Sequence, residues 1–124
     1  VNKITIGDRV NIQDGAVIHT LYQRSVTEIG NDVSIGHNAN VHGAKIEDKC
    51  LIGMGATVLD HAVVGTGSIV AANSLVLTGT VIEPGSVYAG VPARRMKGVT
   101  PEQVRDIIER TARDYMMYAS WYKE

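Results

Sequence analysis

The chain of 124 residues has no phenylalanine, one tryptophan, one cysteine and three prolines, and its formal net charge is only −1. Each shortage excludes something. A single cysteine cannot build an internal disulfide framework and fits a reducing compartment. A near-neutral charge without a basic run argues against a nucleic-acid partner. No apolar run is long enough to span a bilayer, and no signal-peptide pattern stands in these residues. The expectation is one small soluble domain in the cytoplasm, with no membrane partner. Few aromatics point to a narrow core filled by aliphatic side chains.

What is present is a repeat. Aliphatic anchors recur at Ile6, Ile12 and Ile18, then Ile29, Ile35 and Val41, then Ile46, Ile52, Val58, Val64, Val70, Val76 and Ile82. The step is six, except for eleven between Ile18 and Ile29 and five between Val41 and Ile46. Four residues after most anchors stands a small or β-branched residue, as at Ala16, Ala39, Cys50, Ala56 and Ala62. Such a unit is too short for a helical repeat and suits a short strand plus a turn. Three units make one triangular coil, and stacked coils make a parallel β-helix with the anchors inside. Glycine and small polar residues allow the tight corners. The expected fold is therefore all-β, a parallel β-helix over residues 1–92. A linker and a C-terminal α-helix packed on it are expected over residues 93–124. Thr100-Pro101-Glu102-Gln103 reads as a capped helix start. Val104, Ile107, Ile108, Ala112, Tyr115, Ala119 and Tyr122 then share one face at helical spacing. Tyr115 and Tyr118 read as packing residues.

Counting by units places the histidines. His19 follows Ile18, and His42 follows Val41, so both take the same slot on the same face of adjacent coils. Neighbouring strands lie about 4.8 Å apart, so the two rings can stack and converge on one ion. His37 lies two residues after Ile35, on another face, with a prism edge between. It would reach that ion only from a neighbouring subunit, and such a head-to-tail contact closes most simply as a homotrimer. Three imidazoles leave a fourth zinc position open, the pattern of a catalytic site. One isolated histidine would read as a surface imidazole; the three slots together point to a metal. Gln13 and Asp14 lie on the face of His37 one coil earlier, with Asp14 in the slot of His37. Cys50 falls in the small inward slot, where packing is its role. Asp60 and His61 read as a surface turn.

The residues from Gly7 to His19, Ile35-Gly36-His37 to Val41-His42-Gly43, and Ile52-Gly53-Met54-Gly55 resemble the γ-class carbonic anhydrases and their relatives, which are left-handed β-helices of hexapeptide repeats. The resemblance covers nearly the whole chain and supplies the handedness. It implies that His19 and His42 bind a metal from one subunit and His37 from the next. Zinc is the expected ion, with Fe(II) or Co(II) as alternatives. It implies that Gln13 hydrogen-bonds the metal-bound water or hydroxide and that Asp14 helps orient it. Gln-Asp-Gly also reads as a plain corner turn. The implied activity is reversible hydration of carbon dioxide to bicarbonate, the metal lowering the pKa of its water from ~15.7 to ~7. The alternatives are an acyltransferase or thioesterase acting on acyl-CoA, or a catalytically weak metal-binding assembly subunit. The family usually has further coils at the N-terminus, with an Arg that pairs with the aspartate matching Asp14. Here Val1 to Thr5 read as the end of a preceding unit, so a shortened chain is expected, and Arg9 stands in a different slot from that Arg. Leu21 to Glu28 is expected to bulge as a loop beside the metal. Glu28 reads as a solvated loop end rather than a proton shuttle.

Overall fold

The structure is a computed structural model that describes residues 3–20 and 25–100, together with Glu102 and Arg105. The first coil comprises β1 (Ile4–Ile6), β2 (Asn11–Ile12) and β3 (Val17–His19). The second comprises β4 (Thr27–Ile29), β5 (Ser34–Ile35) and β6 (Asn40–His42), and the third β7 (Lys45–Ile46), β8 (Leu51–Ile52) and β9 (Thr57–Val58). A fourth holds β10 (Val63–Val64), β11 (Ile69–Val70) and β12 (Leu75–Val76), followed by β13 (Val81–Ile82) and β14 (Ser86–Gly90). Every third strand pairs in parallel, which gives three sheets around one axis: β1-β4-β7-β10-β13, β2-β5-β8-β11-β14 and β3-β6-β9-β12. The fold is a left-handed parallel β-helix of hexapeptide repeats.

The anchors set the register. Ile6 pairs with Ile29, Ile12 with Ile35, and Ile18 with Val41. Ile35, Val41, Ile52, Val58, Val64, Val70 and Val76 are completely buried and fill the prism. Burying such a side chain contributes about 1.5–3 kcal/mol, so the core is a column of small, equal gains. In the first coil Ile12 and Ile18 are only partly buried, and Ile6 remains 45% exposed. The close stacking of coils explains the glycine that follows many anchors. A Cβ on Gly36 would lie 2.6 Å from the backbone N of Met54. At the corners the backbone turns through positive φ, and the turning residues line up from coil to coil, as Arg9, Asp32 and Lys49 do.

That alignment also makes an ion pair. Arg9 Nε lies 2.7 Å from Asp32 Oδ1 and Nη2 lies 3.1 Å from Oδ2. The hydrogen-bonded guanidinium holds the Asp32 carboxyl below its ordinary range. Arg9 is thus engaged one coil up, in its own slot.

Cys50 has the inward position expected of it. It is fully buried, and its Sγ lies 3.2 Å from the carbonyl oxygen of Gly65. Burial disfavours the thiolate and pushes the thiol from its ordinary value of 9.0 up to about 12. The native protein should therefore leave a thiol-specific disulfide reagent unreacted at pH 8 and release one equivalent of colour only when urea unfolds it. Because the folded value is the raised one, this group's contribution to stability is complete below about pH 9 and is lost as pH climbs towards about 12. Prompt reaction of the folded chain would show that the slot opens.

Two segments differ from expectation. Glu28 lies inside β4 rather than at a loop end, because Ile4–Ile6 offers the strand a pairing edge that begins at Thr27. Residues Ala93–Gly98, expected as linker, form β15, which pairs antiparallel with β14, Gly90 opposite Ala93 and Ser86 opposite Gly98. Val91-Pro92 makes the turn between them. The expected C-terminal helix, with Tyr115 and Tyr118, lies outside the described residues apart from Glu102 and Arg105. Among the described residues no helix is long and apolar enough to cross a membrane.

Candidate metal centre

β3 and β6 run side by side with His19 opposite His42. Their rings stack with centroids 4.8 Å apart and planes 10° from parallel. This is the strand spacing carried outward to the side chains. The pair is therefore set by the backbone ladder and not by chance rotamers. His19 is exposed and His42 is half-buried.

Residues after the chain interruption fasten the pair from behind. The Thr27 hydroxyl donates to the His19 carbonyl at 2.6 Å and accepts from the Gly43 N–H at 3.0 Å. The Gly43 N–H also donates to the His19 carbonyl at 2.9 Å. Behind His42, Nδ1 lies 3.0 Å from Asp60 Oδ1, and the Ser25 hydroxyl donates to that same oxygen at 3.0 Å. Asp60 and His61 form the expected turn, and the Asp60 side chain in addition turns back onto the histidine ring. A signal was available. Val41 pairs with Val58, so Asp60 takes the slot of Gly43 one coil on, beside His42.

The other candidates lie on the neighbouring face. His37 is exposed, and its carbonyl accepts from the Gly55 N–H at 2.8 Å. Asp14 is exposed, and its carbonyl accepts from the Asn38 N–H at 3.1 Å, which joins the Asp14 and His37 corners of adjacent coils. Gln13 is half-buried, its N–H donating to the Ile35 carbonyl at 2.9 Å. The structure thus brings His19 and His42 together and sets His37 apart with Gln13 and Asp14. Among the described residues no three possible metal ligands gather within one chain. Two stacked imidazoles, one backed by a carboxylate, fit two positions of a divalent transition metal. A metal held by that pair would need further ligands from outside it.

The columns continue beyond the site. Leu59 and Leu77 occupy the slot of His19 and His42 on the next two coils, since Val41, Val58 and Val76 are paired in register. Met54 occupies the slot of His37 one coil on, since Ile35 pairs with Ile52.

Comparison with known proteins agrees with this architecture. Residues 26–59 and 43–78 match the family Bacterial transferase hexapeptide (six repeats). A Methanocaldococcus jannaschii protein named "Probable carbonic anhydrase" is 56% identical over 113 residues, which are 91% of this chain and 70% of that one. Gamma carbonic anhydrase 1, mitochondrial, of Arabidopsis thaliana is 40% identical over 93% of this chain, which spans only 43% of that protein's length. Among solved structures, a hexapeptide transferase family protein from Anaplasma phagocytophilum superposes with a TM-score of 0.87 at 34% identity. It covers 96% of this chain, which covers 69% of it. The repeat, the paired histidines and these relatives together show that the chain belongs to the γ-class carbonic anhydrase-like family of hexapeptide-repeat proteins.

Proposed function

We propose that this chain assembles as a homotrimer and catalyses the reversible hydration of carbon dioxide to bicarbonate at sites shared between subunits. One observation carries the reading: His19 and His42 stack across adjacent coils with ring centroids 4.8 Å apart. Two rings held that way on an exposed edge suit metal ligation better than core packing. His37 on the next face is the natural third ligand, lent by a neighbouring subunit. Zinc is the ion that best fits three imidazoles and an open position, and Fe(II) or Co(II) would fit the same donors. When bound, such an ion acidifies a water so that a nucleophile is available near neutral pH.

The chain's own residues do the rest. His19 and His42 hold one side of the ion. Gln13 hydrogen-bonds the attacking oxygen and Asp14 orients it, both from the face that carries His37. The names of the relatives from Methanocaldococcus jannaschii and Arabidopsis thaliana support this reading.

A second reading draws on the Anaplasma phagocytophilum protein, named as a transferase. There one histidine would serve as general base for acyl transfer from acyl-CoA, and the stacked pair would have no purpose. Metal analysis followed by stopped-flow carbon dioxide hydration separates the two. The expected result is about one transition metal per chain, with hydration that a chelator abolishes and added metal restores. A metal-free protein that consumes acetyl-CoA in the presence of an amine or hydroxyl acceptor would establish acyl transfer instead. Metal without hydration would favour an assembly role.

A further inference from the structure

We propose that Asp60 is a positioning residue that fixes His42 as its Nδ1–H tautomer, and that Ser25 fixes Asp60 in turn. The proposal rests on the metal reading above for its purpose, but its geometry stands within one chain. A neutral imidazole carries one N–H and one lone pair, and an ionised carboxylate only accepts hydrogen bonds. His42 Nδ1 lies 3.0 Å from Asp60 Oδ1, so the proton belongs on Nδ1 and the lone pair is left on Nε2. A metal ligand needs that lone pair, and the partner of the other ring nitrogen decides where it sits.

The carboxylate itself has little freedom. Its Oδ1 accepts from Ser25 Oγ at 3.0 Å as well as facing the ring. Only 15% of the Asp60 side-chain surface and 29% of the His42 side-chain surface reach solvent. Gly43 turns there with φ 63°, and a Cβ at that position would overlap both Asp60 Oδ1 and Ser25 Oγ. Carboxylate and hydroxyl therefore fill the space that a side chain at Gly43 would need. Ser25 stands two residues before Thr27, whose hydroxyl bridges the His19 carbonyl and the Gly43 N–H. The segment that returns the chain to its second coil thus latches both histidine strands, Thr27 through the backbone and Ser25 through the ring's acceptor.

The test uses the full chain, metal-free, with 15N-labelled histidine, at a pH where the imidazoles are neutral. Long-range 1H–15N correlation reads the tautomer of His42, and competition with a chromophoric chelator reads zinc affinity. The wild type should show His42 protonated on Nδ1. Asp60→Ala should let the proton redistribute between the nitrogens and weaken zinc about 10–100-fold. Asp60→Asn, whose amide oxygen still accepts, should keep the wild-type tautomer and lose less than about tenfold, by the same outer-ligand scale. Ser25→Ala should fall between the wild type and Asp60→Ala, and serves if the alanine at 60 does not fold. His42 protonated on Nε2 in the wild type would overturn the proposal. So would zinc affinity indifferent to Asp60→Ala, which leaves the metal reading standing. A tautomer that answers to Asp60 in a chain that takes up no zinc would uphold the positioning and sink the metal reading.

Discussion

Mixing a His37→Ala chain with a His42→Ala chain, unfolding both and refolding them together, is expected to restore about one quarter of the wild-type metal content; the figure follows from three-fold symmetry. Alone, each variant should lose more than about 100-fold in zinc affinity, because the partners of metal ligands already account for 10–100-fold and a ligand itself counts for more. The recovery follows from the geometry. His42 stacks on His19 on one face, and His37 stands on another. If each site joins one face of a subunit to the other face of its neighbour, a ring containing both variants has one interface where both faces are intact. About three-quarters of randomly assembled trimers are mixed, and each has one complete site in three. The measurement is metal per chain after gel filtration, with cobalt absorption as a second readout. No recovery on mixing would mean that His37 does not act across a subunit boundary. Full metal content in His37→Ala alone would mean that it is not a ligand.

The largest effect on stability should come from the middle of the prism. Ile52→Ala is expected to cost about 2–5 kcal/mol, the usual range for emptying a buried aliphatic site. Ile52 is completely buried and sits between Ile35 and Val70 in the second sheet. The neighbours cannot collapse into the gap, because backbone hydrogen bonds fix the spacing of the coils on either side. At about 3–5 °C per kcal/mol for a domain of this length, a loss of that size lowers Tm by about 6–25 °C. Ile6→Ala is the control: its side chain is 45% exposed, so it should cost less than about 1 kcal/mol, in proportion to the smaller area it hides. Urea unfolding of the two variants beside the wild type checks the contrast. Equal effects at both positions would argue that the anchors do not share one continuous core.

The contrast between the two variants is also where the sequence was most informative. The six-residue step identifies Ile35, Val41, Ile52 and Val58 as inward residues because a coil leaves no other place for a regular apolar anchor. The register of His19 with His42 follows from the same count, since each stands one residue after its anchor and the anchors Ile18 and Val41 are paired. Arg9 and Asp32 pair for the same reason. What was not legible depends on side chains that leave their own slot. Asp60 reaches sideways to His42, so a count of inward and outward positions finds its turn but not its partner. Ser25 and Thr27 belong to an interruption of the repeat, where periodicity says nothing. Their partners are set by where the chain re-enters the coil. Ala93–Gly98 carries no repeat signal and becomes a strand only because β14 offers it an edge.

The column that places His19 above His42 goes on to Leu59 and Leu77, and the column of His37 goes on to Met54. A coil therefore supplies addresses, and the histidines are tenants in two of the columns. Chemistry could migrate along such a scaffold by exchanging side chains within a column, with the strand spacing guaranteeing the separation at every storey. The architecture sets the distance; the residue at a handful of positions decides the floor on which anything happens.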